Sequence, residues 1–327
     1  MQSVQQYMAL WAAGKVCIQA GRQRPWLRRL SVVLASLLLV ACNPLADDGP
    51  VYQPVYSSQS PDLPEQQEIR VGIHPLHNPE LLFERYGPIV DELNRRIPDA
   101  HFVLEASRNY EEFENKLLNG SLELAMPNPY QTLMAMEHGY RVFGKMADDS
   151  VFRGIVLVRK DSHINSARLL RGQSVSFPSA TALAATMMPQ YALHQEGLEW
   201  GSYQPRYVGS QESSIMNVLL GHTQAGATWP TPWKAFQQDF PERAAQLRVL
   251  LETPSLINNA WVALEGVTDE RVQQVGDVLF SLHETQAGRD ILAALPLERF
   301  EQASNADYAR VEAFINEFSR VVRPVEP

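Results

Sequence analysis

Val-Ser-Phe-Pro-Ser-Ala-Thr-Ala-Leu-Ala-Ala-Thr-Met-Met, residues 175–188, is the stretch around which the rest of the chain is organised. It predicts a strand over 174–177, a turn at Pro178-Ser179 and then a helix opened by small residues. The first N–H groups of a helix lack partners and the macrodipole adds positive charge, so this start suits an anion, with the Thr181 hydroxyl beside it. The alternative is that a hydroxyl there serves only as the N-cap.

The first 41 residues have the pattern of a lipoprotein signal peptide. A basic segment precedes an apolar run over 30–40, and a small residue stands before Cys42. The run is too short to cross a bilayer as a helix, which takes about 20 residues, although a bare signal anchor is the alternative. We therefore expect Cys42 to carry the lipid that tethers the protein to a membrane, with residues 42–67 as a Pro-rich, extended tether.

Charge and cysteine content limit the partners. The chain has 28 basic and 37 acidic residues; residues 1–41 hold five of the basic ones and none of the acidic ones, so the mature chain keeps 23 against 37, a formal charge of −14. Such a surface argues against nucleic acid as a partner. Cys17 lies in the predicted leader and Cys42 is expected to be acylated, so no cysteine is left for a disulfide, a metal site or thiol chemistry.

The globular part alternates strands and helices, which predicts an α/β architecture with mostly parallel pairing. Its size and its apparent restart near residue 160 predict two lobes, the first from 68–158 plus 260–327 and the second from 159–259. The last strand is followed only by predicted helices, which must pack on an existing sheet. Two lobes joined by two extended segments make a hinged clamp, whose ligand binds at the carboxyl ends of the strands.

The residues expected to line that cleft follow the predicted strand ends. They are His74, His77, Asn128, Tyr130, Thr181, Gln211, Ser213, Thr228 and Trp229. Each has a purely structural alternative: a loop histidine is often a surface residue, an asparagine between prolines is often a turn residue, and the tryptophan of Trp-Pro-Thr-Pro-Trp can belong to the core.

Motifs for catalysis and cofactors are missing from the sequence. It contains no nucleophile elbow, P-loop or dinucleotide fingerprint. His74 and His77 stand three apart in a Pro-containing loop without a carboxylate cluster, a weak pattern for zinc. We therefore expect a binding protein with no cofactor and no metal, and not an enzyme.

Several segments in order resemble a known family. They are the lipoprotein signal, Val71-Gly-Ile73, Tyr86-Gly-Pro-Ile-Val90, Tyr110-Glu-Glu-Phe113 and Phe152-Arg-Gly-Ile155. Together they resemble the phosphate, phosphite and phosphonate substrate-binding proteins of ABC importers, over nearly all of the globular part. The resemblance implies the type II periplasmic-binding fold, with a small oxyanion held between the lobes.

The resemblance also implies where the ligand is held. The family carries a Ser-Thr-Ser run at a helix start of the second lobe, and the matching positions here are Ala180, Thr181 and Ala182. A second family segment, Gly-Ser-His-Asp/Glu, is matched by Gly209-Ser-Gln-Glu212, with Gln211 in place of histidine. Two hydroxyls and an imidazole that could donate to an oxyanion are thus replaced.

The function expected from these observations is that of a lipid-anchored, monomeric receptor on the periplasmic side of a bacterial membrane. It would present a small oxyanion to an ABC permease. One alternative is a sensory subunit with the same fold that signals to a membrane kinase or cyclase. Another is a periplasmic enzyme built on the same fold.

Overall fold

The structure, a computed structural model, describes residues 67–325. The predicted signal peptide, Cys42 and all of the predicted tether except residue 67 lie outside the described residues. Within the described part, no helix is both long enough and apolar enough to cross a membrane.

Eleven strands form two mixed sheets within the described residues. The strands are β1 Gln67–Ile73, β2 Ala100–Glu105, β3 Leu124–Met126, β4 Tyr140–Met146, β5 Ile155–Arg159, β6 Ser174–Phe177, β7 Gln204–Tyr207, β8 Ala225–Thr228, β9 Leu247–Glu252, β10 Ala260–Leu264 and β11 Phe300–Gln302. The first sheet has the order β11-β4-β10-β3-β1-β2 and the second β7-β6-β8-β5-β9. We call each sheet with its packed helices a lobe. The predicted α/β class is confirmed.

The α-helices of the described residues cover the sheets. They are α1 Pro79–Arg96, α2 Tyr110–Leu118, α3 Pro129–Met136, α4 Met188–Gln195, α5 Gln211–Leu219, α6 Pro230–Asp239, α7 Pro241–Ala244, α8 Asp269–Phe280, α9 Gln286–Ala294 and α10 Ala309–Val321. A π-helical turn, Leu183–Met187, runs directly into α4.

The first sheet uses two separate parts of the chain. β1 pairs in parallel with β2 and β3, whereas β10 returns from the distant second part and pairs antiparallel with β3 and β4. The expectation that only helices follow β10 is wrong, because β11 pairs antiparallel with β4. Three residues are too short a run to show an alternating pattern, so sequence periodicity missed this edge strand.

The second sheet buries strand β5 on both faces. β6 is parallel to β7 and β8, and β5 is antiparallel to β8 and β9. Ile155 and Leu157 pack on one side of the sheet, and Val156 and Val158 on the other. The lobe boundaries proposed from the sequence stay a prediction. In the structure β5 belongs to the second sheet, so the chain first passes from one sheet to the other over residues 147–154.

The two segments that cross between the lobes are hydrogen-bonded to each other. Gly154 N donates to Thr253 Oγ1 at 2.9 Å, and Thr253 N donates to Gly154 O at 2.9 Å. A Cβ on Gly154 would lie 2.5 Å from Ala184 O and 2.6 Å from Pro189 Cδ, so no larger residue fits there without movement. The crossing therefore packs directly against the start of the helix that follows β6.

Polar contacts also join the lobes away from the crossing. The buried Arg85 of α1 donates from Nη2 to Asp239 of α6 at 2.5 Å. Near the end of the chain, Arg323 donates to Ala180 O at 2.8 Å and to Gln190 Oε1 at 3.0 Å. The structure thus has the two lobes in contact over the cleft.

Candidate functional site

The cleft between the lobes is built from the carboxyl ends of parallel strands in both sheets. His74 follows β1, Tyr110 follows β2 and Asn128 follows β3, while Gln211 and Trp229 follow β7 and β8. A narrow cavity of about 10 Å³, room for about one water molecule, lies here and is lined by His74, Tyr110, Asn128, Phe152, Ala182, Leu183, Ala184, Ala185, Gln211, Trp229 and Asn259. This is the position at which open α/β sheets bind ligands.

On the first lobe, Asn128 completes a capping box at the start of α3. Its Oδ1 accepts from Tyr130 N at 3.0 Å and from Gln131 N at 3.2 Å, and Gln131 Oε1 accepts from Asn128 N at 3.1 Å. The Nδ2 of Asn128 donates across the cleft to Thr181 O at 3.2 Å. The donors of this helix end are therefore already used by the protein.

On the second lobe, the helix start at Leu183 has no side-chain cap among the described residues. The N-cap position is Ala182, which has no side-chain oxygen to accept a hydrogen bond. The first intrahelical bonds run from Thr186 N at 2.9 Å and Met187 N at 3.2 Å, both to Ala182 O. A helix leaves its first N–H groups without internal partners, so those of residues 183–185 are open to a ligand in the cavity. π-helical turns of this kind are frequent at functional sites.

A chain of three polar side chains crosses the cavity wall. Thr228 Oγ1 donates to Gln211 Oε1 at 2.8 Å, and Gln211 Nε2 donates to Tyr110 OH at 3.2 Å across the lobe boundary. Because the tyrosine oxygen accepts this bond, its own proton is available to another acceptor. Burial raises the pKa of Tyr110 far above its usual value, so the phenol stays protonated.

His74 is held as a neutral imidazole. Its Nδ1 lies 2.8 Å from Met126 O, and because a carbonyl oxygen only accepts, Nδ1 carries the proton. Burial lowers its pKa to about 4, against a smaller raising effect of the same hydrogen bond. The other ring nitrogen, Nε2, is left as a hydrogen-bond acceptor.

The aromatic wall of the cavity belongs to the core. Trp229, at the N-cap position of α6, is 2% exposed and its ring centroid lies 5.4 Å from that of Phe152. Trp229 thus packs beneath the site and also lines it, which joins the two roles that the sequence left as alternatives.

Four of the nine residues predicted for the cleft line the cavity, namely His74, Asn128, Gln211 and Trp229. Thr228 lies just behind them and orients Gln211. The assignment of all nine to ligand binding stays a prediction.

Thr181 does not line the cavity, contrary to the position expected for it. The helix begins at Leu183 and not at residues 179–181, and the Thr181 hydroxyl donates to Glu114 Oε1 of α2. Glu114 also accepts from Gln131 Nε2 at 2.8 Å, and its burial raises its pKa. The hydroxyl therefore bridges the lobes beside the cavity, and the turn that faces the cavity is apolar.

Ser213 and Tyr130 likewise lie outside the lining. Ser213 N donates to Ser210 Oγ at 3.1 Å, and the two hydroxyls are 2.9 Å apart, so Ser213 takes part in capping α5. Tyr130 is 6% exposed in the first-lobe core, and burial raises its pKa to about 12.

His77 lines a second narrow space between the lobes, of about 20 Å³. Its other lining residues are mainly apolar: Leu81, Glu212, Ile215, Pro232, Ala235, Phe236, Asp239 and Phe240. Desolvation and then the nearby Arg85 charge lower the pKa of His77 to about 3, so this histidine is neutral. We take the smaller cavity as the candidate site because polar groups from both lobes converge on it.

Sequence reasoning missed Tyr110, Phe152 and Asn259 in the cavity lining. Tyr110 follows the end of β2, a position that the rule of strand ends could have included. Phe152 and Asn259 precede the antiparallel strands β5 and β10, whose first residues lie at the edge where parallel strands end. Without the strand directions, that second signal is invisible in the sequence.

A comparison with known protein families identifies the family of this chain. The family model of the phosphonate periplasmic substrate-binding proteins of ABC transporters matches residues 71–308. The chain belongs to this family. It is therefore a periplasmic binding protein and not an enzyme, as expected from the sequence. Its described residues contain no cluster of His, Cys, Asp or Glu that could hold a metal ion.

Relatives of this binding protein align with most of its length. A probable ABC transporter phosphite-binding protein, PhnD1, from Prochlorococcus marinus is 22% identical over 279 residues, 80% of this chain and 93% of the relative. A structure of PhnD1 with methylphosphonate has a TM-score of 0.72 at 21% identity and covers 78% of this chain and 99% of that one. A binding component of an ABC phosphonate transporter from Pseudomonas aeruginosa has a TM-score of 0.72 at 14% identity, covering 78% and 88%. The expected two-lobed type II periplasmic-binding fold is confirmed.

Proposed function

We propose that this protein is a lipid-anchored receptor of an ABC importer and captures a small oxyanion of the phosphonate, phosphite or phosphate class between its lobes. The observation that carries the proposal is the uncapped helix start at Leu183, which faces a buried cavity at the strand ends. Family membership and the methylphosphonate complex of the relative support the ligand class.

The cavity offers dipoles and neutral donors instead of cations. None of its lining residues is a lysine or an arginine, and its two titratable side chains, His74 and Tyr110, are neutral near pH 7. Helix N–H groups, the Tyr110 proton and the second amide hydrogens of Asn128 and Gln211, whose first hydrogens bond Thr181 O and Tyr110 OH, would share the negative charge of the ligand. Hydrogen bonds to a charged group each contribute about 1.5–3 kcal/mol, so a few suffice for tight binding.

Calorimetric titration of the purified full-length protein with methylphosphonate, phosphite and phosphate tests the ligand class. We expect one-to-one binding without turnover, and at least a tenfold loss of affinity in Gln211→Leu, which breaks the bonds from Thr228 and to Tyr110. Gln224→Leu is the matched control, because Gln224 bonds Ser174 at the opposite end of the strands, with Ser174 Oγ at 2.9 Å. Failure of all three ligands to bind would rule out the oxyanion assignment.

The importer role and the lipid anchor are tested in cells. A strain lacking this gene should fail to grow on the bound oxyanion as its phosphorus source. Normal growth with altered gene expression would instead indicate a sensory subunit. Cys42→Ser should move the protein from the membrane fraction to the soluble fraction, and an unchanged membrane fraction would contradict acylation at Cys42.

A further inference from the structure

Asn259 is fixed in the cavity wall by its own backbone. It stands directly before β10 and is fully buried. Its N–H donates to Asn258 Oδ1 at 2.8 Å, and its carbonyl accepts from Met146 N at 2.9 Å. The side chain lines the cavity and has little freedom to turn elsewhere.

The amide of Asn259 presents an unused acceptor. Its Nδ2 lies 3.4 Å from Met146 Sδ, and a thioether sulfur only accepts, which fixes the amide with nitrogen toward the sulfur. Oδ1 has no hydrogen-bond partner among the described residues. A buried unsatisfied acceptor costs about 1–3 kcal/mol, so a donor is needed at this position.

A second acceptor faces the same cavity. The proton of His74 is held on Nδ1 by Met126 O, which leaves Nε2 with a lone pair. An anion with only acceptor atoms cannot satisfy either His74 or Asn259. A ligand that combines negative charge with a hydrogen-bond donor can satisfy at least one of them and still accept from the helix start.

We propose that the cleft selects an oxyanion in its singly charged, hydroxyl-bearing form, whose acidic proton is donated to Asn259 Oδ1 or His74 Nε2. This inference rests on the proposed function and names the protonation state of its ligand. The charged oxygens would accept from residues 183–185 and from Tyr110. A second negative charge would be desolvated without a cation in the lining to offset it.

Two ligands of similar shape, methylphosphonate and methanesulfonate, distinguish the effect of the ligand's proton from the effect of its charge. Methylphosphonate carries an acidic hydroxyl below its second ionisation, near neutral pH, whereas methanesulfonate is always singly charged and has none. With the full-length protein, we expect methylphosphonate to bind at least tenfold more tightly at about pH 6, where it is mostly monoprotonated. Above its second ionisation the advantage should fall by up to about tenfold per pH unit.

Methanesulfonate also controls for titration of the protein. His77 lies near His74, Arg85 lies near His77, and Glu114 lies near Tyr110. Charge changes on these groups act on both ligands, so the ratio of the two affinities reports the ligand proton alone.

Asn259→Leu removes the acceptor for the ligand proton. We expect it to lower the ratio of methylphosphonate to methanesulfonate affinity at least fivefold. Thr186→Val is the matched control, because Thr186 Oγ1 is equally buried and unpartnered but lies outside the cavity lining. Thermal unfolding shows whether each variant is folded; if Asn259→Leu is not, the ligand pair on the unaltered protein still decides.

Equal, pH-independent affinities for the two ligands would overturn the inference while leaving oxyanion capture intact. An unchanged ratio in folded Asn259→Leu would overturn the role of Asn259. If methylphosphonate, phosphite and phosphate all fail to bind at any pH, the proposed function fails together with the inference.

Discussion

Two strand-turn-helix junctions face each other across the cleft, and they differ in whether a side chain caps the start of the helix. After β3, Asn128 closes the start of α3 with a full capping box. After β6, the helix that starts at Leu183 follows an alanine and has no side-chain cap. The first N–H groups of α3 are bonded to the Asn128 side chain, whereas those of the helix at Leu183 have no side-chain acceptor among the described residues.

The difference in capping implies that the two helix starts depend on the ligand to different degrees. A capped helix end is stable by itself, because its N–H groups are satisfied whether or not a ligand is bound. An uncapped end gains that stability only when an anion supplies the missing acceptor. The capped side is therefore expected to act as the support, and the open side as the part whose free energy depends on the ligand.

The largest effect is expected from acid on the capped side, where His74 holds the end of β3. The pKa of His74 is about 4 in the folded protein and about 6.5 when exposed, so the unfolded state binds more protons between these values. Stability should therefore fall as the pH drops from about 6.5 to about 4, by up to about 3 kcal/mol. Urea unfolding against pH measures this loss.

His74→Gln should reduce this loss of stability without abolishing it, because His77, whose pKa is lowered to about 3, contributes over the same pH range. His101→Gln is the matched control, because His101 is exposed on β2 and lies outside the cavity lining. A wild-type profile in His74→Gln would show that the histidine does not hold the end of β3.

Closing the open junction should abolish the difference between the two sides. Ala182→Asp would place a carboxylate on the free N–H groups and occupy the anion position from within. We expect oxyanion affinity to fall about a hundredfold, or nearly 3 kcal/mol, measured by calorimetry.

The neutral isostere Ala182→Asn separates charge from bulk, and its loss of affinity should be smaller. Unchanged affinity in folded Ala182→Asp would mean that the ligand lies elsewhere.

Removing the cap from the other junction should act mainly on stability. Asn128→Ala deletes the cap of α3 and the bond to Thr181 O, and should lower the free energy of unfolding by about 1–2 kcal/mol in urea. Asn109→Ala, at the exposed cap of α2, removes an N-cap without a contact across the cleft and should cost less. Equal losses in both variants would mean that the bond across the cleft contributes nothing.

The smallest effect is expected at Thr181, beside the open junction. Because its hydroxyl is bound to Glu114 and lies outside the cavity lining, Thr181→Val should change oxyanion affinity less than about threefold, under 1 kcal/mol. Calorimetry on this variant decides between the structure and the sequence-based expectation, because a tenfold loss would make Thr181 a ligand-binding residue after all.

Most elements of the fold could be predicted from local patterns. The strand over 174–177 has the predicted bounds, because the turn at Pro178-Ser179 gives it a clear end signal. The short β11 could not be predicted, since its pairing partner β4 lies far away in the sequence. Assignment of β5 to the second sheet also depended on pairing, which no local pattern encodes.

The candidate site was predictable where it depends on strand ends. Of the residues predicted in this way, His74, Asn128, Gln211 and Trp229 line the cavity. Thr181 was expected in the cavity but lies beside it in the structure, because small residues over 179–182 allow several helix starts with similar propensity. Packing against Gly154 and the bond from Thr181 to Glu114 accompany the start at Leu183, and both are contacts with other parts of the chain.

The sequence by itself determined the two α/β lobes, the strand ends that supply the cleft and the family to which the chain belongs. Periodicity, turn residues and the order of segments are local properties, so they survive without a structure. Tertiary structure alone decided which of the two helix ends stays open and brought Asn259 into the cavity. Those outcomes depend on pairing, burial and partner atoms from distant residues, since a donor or acceptor is free only when the whole fold leaves it so.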